Sequence, residues 1–379
     1  MRTWPYYLIL VFICFSCKES KEIKAVAEAK EITLSYAKSF AINQRDGYIE
    51  LEVNKPWPNA ENGFRYALVP REQLAAYRDS LRGYDAVIGV PVKKVIVTST
   101  THIPALEILE EEKSLIGFPS LDFVSSPKTR ALINSGAIKE LGNNEALNLE
   151  LALALEPELI VTFGIDNKVT TLEPLERAGI PIVYNADWTE ESPLGRAEWI
   201  KFMGVFYDKL DEATAFFDSI SKDYQQAKQR LGRPKTRPKI MTGAVYKDVW
   251  YVSGGKSWAA QFIKDAQAEY LWESDTATGS IPVALENMLV RSHEADIWLS
   301  PGLYTTYADL KAANPHYDRF RAFKENKIFS AASLQGETGG MLYFELAPQR
   351  PDLVLQDLIY YLHPGVLTDY IPYFYKPLE

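Results

Sequence analysis

Apolar positions in this chain follow one rhythm before residue 92 and another after it. Between residues 31 and 92, short alternating or aromatic runs fall at 36–40, 48–53 and 64–69, parted by Asp46-Gly47 and Pro56-Trp57-Pro58. Period two with turn residues between the runs predicts strands, and so a small β-rich extension. From Val95 strands and helices alternate: strand 95–98, hydroxyl-rich turn 99–102, helix 103–112, strand 115–118. Pro104 lies near that helix start, where its missing N–H costs nothing. Strands are predicted again at 159–163 and 180–184, with a helix at 170–178 between them that Gly179 stops. This alternation predicts an α/β lobe with a largely parallel sheet.

Met203, Phe206, Leu210, Ala213, Phe217, Ile220, Tyr224, Ala227 and Leu231 then form a single helical stripe. It predicts a helix over 208–231, capped by Asp208, stopped at Gly232-Arg233-Pro234 and about 36 Å long. Beyond it the alternation resumes, with strands at 239–245 and 249–252, a helix at 258–268, a strand near 327–330 and an amphipathic helix at 351–362.

Two segments look like copies of one unit. Asn148-Leu-Glu150 leads through a short helix and an acidic turn at Glu158 into an apolar run, and Ala284-Leu-Glu286 does the same through Asp296. A chain that builds this unit once in each half is expected to be bilobal, with a ligand between the lobes. The expected fold is α/β: two Rossmann-like lobes joined by a long spine helix, a cleft between them, and the β-rich segment in front. The expected divisions are 1–16 signal, 17–30 tether, 31–192 first lobe with its extension, 193–232 linking helices and 233–379 second lobe.

Residues 1–17 set the compartment. Arg2 gives a positive start, residues 4–15 an apolar run too short to span a bilayer comfortably, and Ser16 precedes Cys17. The segment resembles a bacterial lipoprotein signal cleaved before Cys17, with lipid on its thiol, although Cys14 stands where such signals usually carry Leu. An ordinary signal peptide or short anchor is the plainer alternative, and either one exports the protein. Cys14 and Cys17 are the only cysteines, so the domain beyond them has no disulfide and no cysteine metal site. Roughly 360 residues with 47% hydrophobic composition suffice for two cores. The formal charge of −9 becomes −10 once Arg2 is removed, and no basic block appears, which argues against nucleic acid.

Candidate chemistry is sparse. Ser253-Gly-Gly-Lys256-Ser257 lacks the earlier glycine of a phosphate loop, Trp250 standing in its place, so it is expected to be a helix-start turn with free N–H groups facing the cleft. His102, His293, His316 and His363 have no metal spacing, and no Gly-x-Ser-x-Gly elbow exists. His102 is open to two readings, a packing residue or a cleft-lining one. Aromatic residues gather at predicted strand ends and loops: Phe118, Phe163, Trp188, Tyr246, Trp250, Tyr251, Trp258, Tyr304 and Tyr343. Ligands of α/β lobes bind there, and flat rings suit a large planar ligand. The candidate binding set is Thr101, His102, Phe118, Phe163, Trp188, Tyr246, Trp250, Tyr251, Lys256 and Tyr304. Lys168 and Lys256 are loop cations for an anionic ligand.

Taken together, residues 95–104, 148–161, the spine, 284–299 and 350–358 resemble, in order and spacing, class III periplasmic substrate-binding proteins. Those proteins serve ABC importers of ferric siderophores, haem and cobalamin. The resemblance implies a non-catalytic, monomeric receptor with no cofactor of its own, iron entering only within a bound chelate such as a ferric siderophore. It also implies that Glu150 and Glu286 meet arginines of the permease, and that a lipid on Cys17 holds the protein at a periplasm-facing membrane. Haem or cobalamin is the alternative cargo. An exported glycan hydrolase or a surface scaffold is the alternative from another class.

Overall fold

The computed structural model describes residues 30–78, 80–247 and 249–379; the expected signal, most of the tether and Cys17 lie outside them. In the first lobe five parallel strands run in the order Ile182–Tyr184, Leu159–Thr162, Val95–Val97, Leu115–Phe118 and Lys139–Glu140. Val95, Ile96, Val97, Ile160 and Val161 have no exposure, as strands covered on both faces require. The second lobe orders Glu269–Tyr270, Lys239–Thr242, Ile297–Leu299 and Ile328–Ser330 in parallel, and the antiparallel strand Lys376–Pro377 closes it. Two lobes of mainly parallel sheet with helices on their faces make the expected α/β architecture.

The spine is the helix Leu210–Leu231, and it buries Ala213, Phe217, Ile220, Tyr224, Ala227 and Leu231 along one stripe. It starts two residues later than the pattern suggested. Asp208 is not its cap: at φ 57° it makes a left-handed turn between the short helix Val205–Tyr207 and the spine, and Lys209 takes the cap position. The spine holds the second lobe through Asp265, which accepts hydrogen bonds from Tyr224 Oη and Lys228 Nζ, each 2.7 Å. Towards the first lobe, Phe217 packs edge-on against Tyr36 and lies under the Lys201 ammonium.

The extension is a five-stranded sheet, Lys30–Ile32, Phe40–Arg45, Tyr48–Val53, Phe64–Pro70 and Ala86–Val90. Residues 36–39 are not the strand expected there, because two carboxylates take their backbone N–H groups out of any ladder. Glu198 accepts from Ser35, Tyr36 and Ala37, and Glu190 from Lys38 and Ser39. The strand expected over 239–245 also breaks. At Gly243, φ 82°, a Cβ would lie 1.8 Å from the Tyr251 carbonyl, so the chain turns there. It continues as Ala244–Tyr246 in a separate antiparallel sheet with Val249–Ser253 and Ser280–Val283.

Glu198 is fully buried and ion-paired to Lys201 at 2.8 Å. Glu198→Ala would strand three N–H groups and a buried ammonium, so a loss of about 3–5 kcal/mol in urea unfolding is expected. A loss below about 1 kcal/mol, the level of a surface pair, would show that this anchor is dispensable.

Candidate functional site

The carboxyl ends of the first-lobe strands bring Thr98, Phe118, Phe163 and the turn at Thr100-Thr101 to one side of the molecule. Three adjoining cavities of about 310, 400 and 330 Å³ form a trough there. The first lies at the lobe junction: Thr100, Thr101 and Trp188 face Trp258, Phe262, Thr278 and Tyr343 across it. The middle one adds Phe118, Phe123, Asn144 and Met341, and the outer one Ile165, Asp166 and Lys168. Thr98, Asn144, Glu145 and Phe163 line both of the last two, and Thr100 and Phe344 are shared by the first two. Phe123, Ile165 and Phe344 are 65%, 68% and 59% exposed along it. Apolar side chains left in water around a concave surface mark a binding site.

One cation enters the junction cavity, and sequence reasoning missed it. Arg196 sits on the helix Pro193–Ala197, which Ser192 caps by accepting from Gly195 N–H. Its guanidinium lies 4.8 Å over the Trp258 ring and 3.3 Å from Asp187, and its buried Nε has no partner. Asp187 answers part of its charge, and the planar guanidinium geometry suits a further carboxylate or other planar anion. The local sequence signals only a capped helix; what makes Arg196 a site residue is the second lobe folding over it.

The candidate residues divide sharply. Thr101, Phe118, Phe163 and Trp188 line the trough. Trp250 does not: it is fully buried among Trp298, Tyr317 and Phe320, its indole donating to the Thr242 carbonyl, so it is core. Tyr251, its neighbour on the same strand, points the other way and is exposed, as is Tyr246, and neither lines the trough. Tyr304 packs on the second-lobe core away from the cavities. Lys256 is exposed in its turn, and the N–H groups expected to be free there are bonded: Gly254 and Lys256 donate to Gly279 and Ala277. Lys168 lines the outer cavity but is paired with Glu176 at 3.3 Å. His102 is buried beneath Thr101, its Nδ1 without a partner, and burial pushes its pKa down to about 4. It is a packing residue, neutral at ordinary pH. Among the described residues no cluster of His, Cys, Asp or Glu could hold a metal ion.

The lobes also meet through the segment 337–345. Glu345, on the helix Leu342–Leu346, accepts from the N–H groups of Ser125 and Ser126 at 2.7 and 3.0 Å. Glu337 pairs with Arg130, and Thr338 Oγ1 donates to the Asp122 carbonyl. These contacts join the two lobes directly, and residues next to them (Tyr343 and Phe344) line the junction cavity.

Glu150 and Glu286 each occupy the second position of a helix, Leu149–Ala154 and Leu285–Arg291. Neither caps its helix: Asn148 accepts from Leu151 N–H in the first, and the second has no side-chain cap. Both carboxylates are exposed, and Leu153 and Val290 on the same helices are 48% and 70% exposed.

A spine helix joining two α/β lobes over a preformed cleft defines a two-lobed binding protein. The chain belongs to the periplasmic binding protein family, whose model matches residues 95–333. It is 27% identical over 288 residues to an uncharacterised lipoprotein of Methanocaldococcus jannaschii, covering 73% of this chain and 67% of that one. A solved structure described as a possible iron-binding (periplasmic solute-binding) protein from Staphylococcus epidermidis superposes with a TM-score of 0.56 at 18% identity, over 72% of this chain and 99% of that one. A periplasmic heme-binding protein from Pseudomonas aeruginosa gives a TM-score of 0.56 at 16% identity, over 72% and 94%.

The buried imidazole has a pH signature. Unfolded, His102 takes up a proton near pH 6.5; folded, only near 4. The stability it contributes is therefore complete above 6.5 and is lost as pH falls towards 4, by roughly 2–4 kcal/mol. Glu345, pushed up to about 7 by burial, acts in the opposite sense: its contribution is complete below its ordinary value and is lost as pH rises through 7. Comparing the parent with His102→Phe isolates the imidazole, and the variant should lose less stability between pH 6.5 and 4. Equal losses in the two would mean His102 is not held neutral.

Proposed function

We propose that this chain is the substrate-binding protein of an ABC importer, and that it captures an iron complex, a ferric siderophore, and delivers it to the membrane permease. The observation that carries the reading is Arg196: a buried guanidinium, paired with Asp187 on one side, that lines an aromatic-walled cavity between the lobes. The flat faces of Trp188 and Trp258 suit a large chelate, and the guanidinium suits its anionic donors. Haem is the second reading, since its carboxylates would meet the same guanidinium; cobalamin would use the aromatic walls. No carboxylate lines the junction cavity among the described residues, so this cavity offers no acid–base pair for hydrolysis.

Glu150 and Glu286 are the proposed contacts with permease arginines, one per lobe, flanked by Leu153 and Val290. Cys17 is the proposed lipid attachment site, which would keep an exported, monomeric receptor at the membrane.

A tryptophan-fluorescence titration of the purified protein with ferric hydroxamate, ferric catecholate, ferric citrate, haem and cobalamin tests the cargo. Saturable binding of one ligand is expected, with Arg196→Gln weakening an anionic one about 10- to 100-fold. An Arg196→Gln protein that binds an anionic cargo as tightly as the parent would remove the guanidinium from the site. Charge reversal of Glu150 and Glu286 together is expected to abolish uptake with ligand affinity unchanged; lost affinity in that double variant would falsify the docking assignment.

A further inference from the structure

The family match begins at residue 95; no described residue in front of it lines the three cavities of the trough, and that segment reaches the cleft only from behind, at the 163–170 loop. Trp57, in the loop before the strand Phe64–Pro70, rests on the backbone at Gly164. A Cβ on Gly164 would stand 2.5 Å from Trp57 Cε3 and 2.8 Å from the Asn167 carbonyl, so the fit requires glycine. On its other side, the Gly164 carbonyl accepts the indole N–H of Trp188 at 3.2 Å, and the Trp188 ring lines the junction cavity. Trp57 therefore presses on one side of a peptide that positions a cavity wall on the other.

Trp57 belongs to an aromatic column. It packs edge-on against Phe64 and Tyr184, whose rings stack at 4.6 Å, and Tyr66 Oη accepts from Tyr184 N–H. Tyr184 Oη in turn accepts from Val169 N–H at 3.0 Å, and Lys168 reaches over the Phe64 ring. The loop between Phe163 and Thr170 carries exposed Ile165, Asp166, Asn167 and Lys168. Such a loop holds one shape only if it is tied down, and here the column ties it near both ends.

We infer that the N-terminal extension backs a wall of the ligand cleft from outside, with Trp57 the positioning residue for the 163–170 loop and, through Gly164, for Trp188. This rests on the reading of the trough as the ligand site. A wall set before binding spares the ligand the cost of ordering it, so its loss appears as weaker affinity.

The test compares Trp57→Ala, Trp57→Phe and Tyr77→Ala in the full chain. Tyr77 belongs to the same extension but packs on its far side, against Tyr48. Amide exchange over 163–172 is measured without ligand, and affinity with haemin, ferric citrate and cobalamin as probes. Trp57→Ala is expected to speed loop exchange and weaken the bound probe about tenfold each. Trp57→Phe should restore most of both, and Tyr77→Ala should leave both unchanged. Parent-like exchange in Trp57→Ala, or equal effects from Tyr77→Ala, would overturn the wall. If the parent binds none of the probes, the cargo reading suffers, and loop exchange alone decides the inference.

Discussion

A carboxylate with no access to water must be answered by donors on every side, and Glu198 is such a group. It lies where the linking helices begin, and its donors come from two directions: three backbone N–H groups of residues 35–37 and the Lys201 ammonium. Lys201 then covers Phe217 of the spine. Through one buried charge the extension, the first lobe and the spine are registered against each other, and Glu190 repeats the arrangement beside it by accepting from Lys38, Ser39 and the Trp199 indole. An apolar contact tolerates sliding, whereas a buried carboxylate displaced by 1 Å leaves donors unpaired.

The second lobe is fixed with comparable economy. Asp265 takes both Tyr224 and Lys228 from the spine, and Glu345 takes two N–H groups from the first lobe. The lobes are thus bonded to each other through the spine and through Glu345, and the proposed recognition rests on the shape and charge of the cavity between them. In that reading aromatic walls supply area at little side-chain ordering cost, and Arg196 would supply a directional, charged contact at the junction.

How legible this was in the sequence varied with the kind of information involved. The spine's buried stripe could be read because helical periodicity is one-dimensional: Ala213 to Leu231 were buried as the spacing required. Strand faces were another matter. Trp250 and Tyr251 are adjacent aromatic residues on one strand, and alternation states that they point oppositely without stating which face meets the core. The spare donors of Arg196 and the burial of His102 are set by what the other lobe lays over them, which no local window contains. The loop of residues 36–39 was misread for the same reason, since its apolar residues favour a strand and the acceptors that prevent one lie more than a hundred positions away.

The repeated unit shows what a sequence pattern can carry when each position has one physical task. In both lobes the second acidic residue fixes the turn to the neighbouring strand: Glu158 accepts from Lys93 N–H and pairs with Arg71, and Asp296 accepts from Lys239 N–H and pairs with Arg321. The helix start is left to backbone geometry and, in the first lobe, to Asn148. That division leaves Glu150 and Glu286 without a structural task, exposed on helices whose following turns are pinned to the sheets. Exposed carboxylates free of capping and of ion pairing, one in each lobe, are the feature on which the proposed docking to a partner with two positive groups rests.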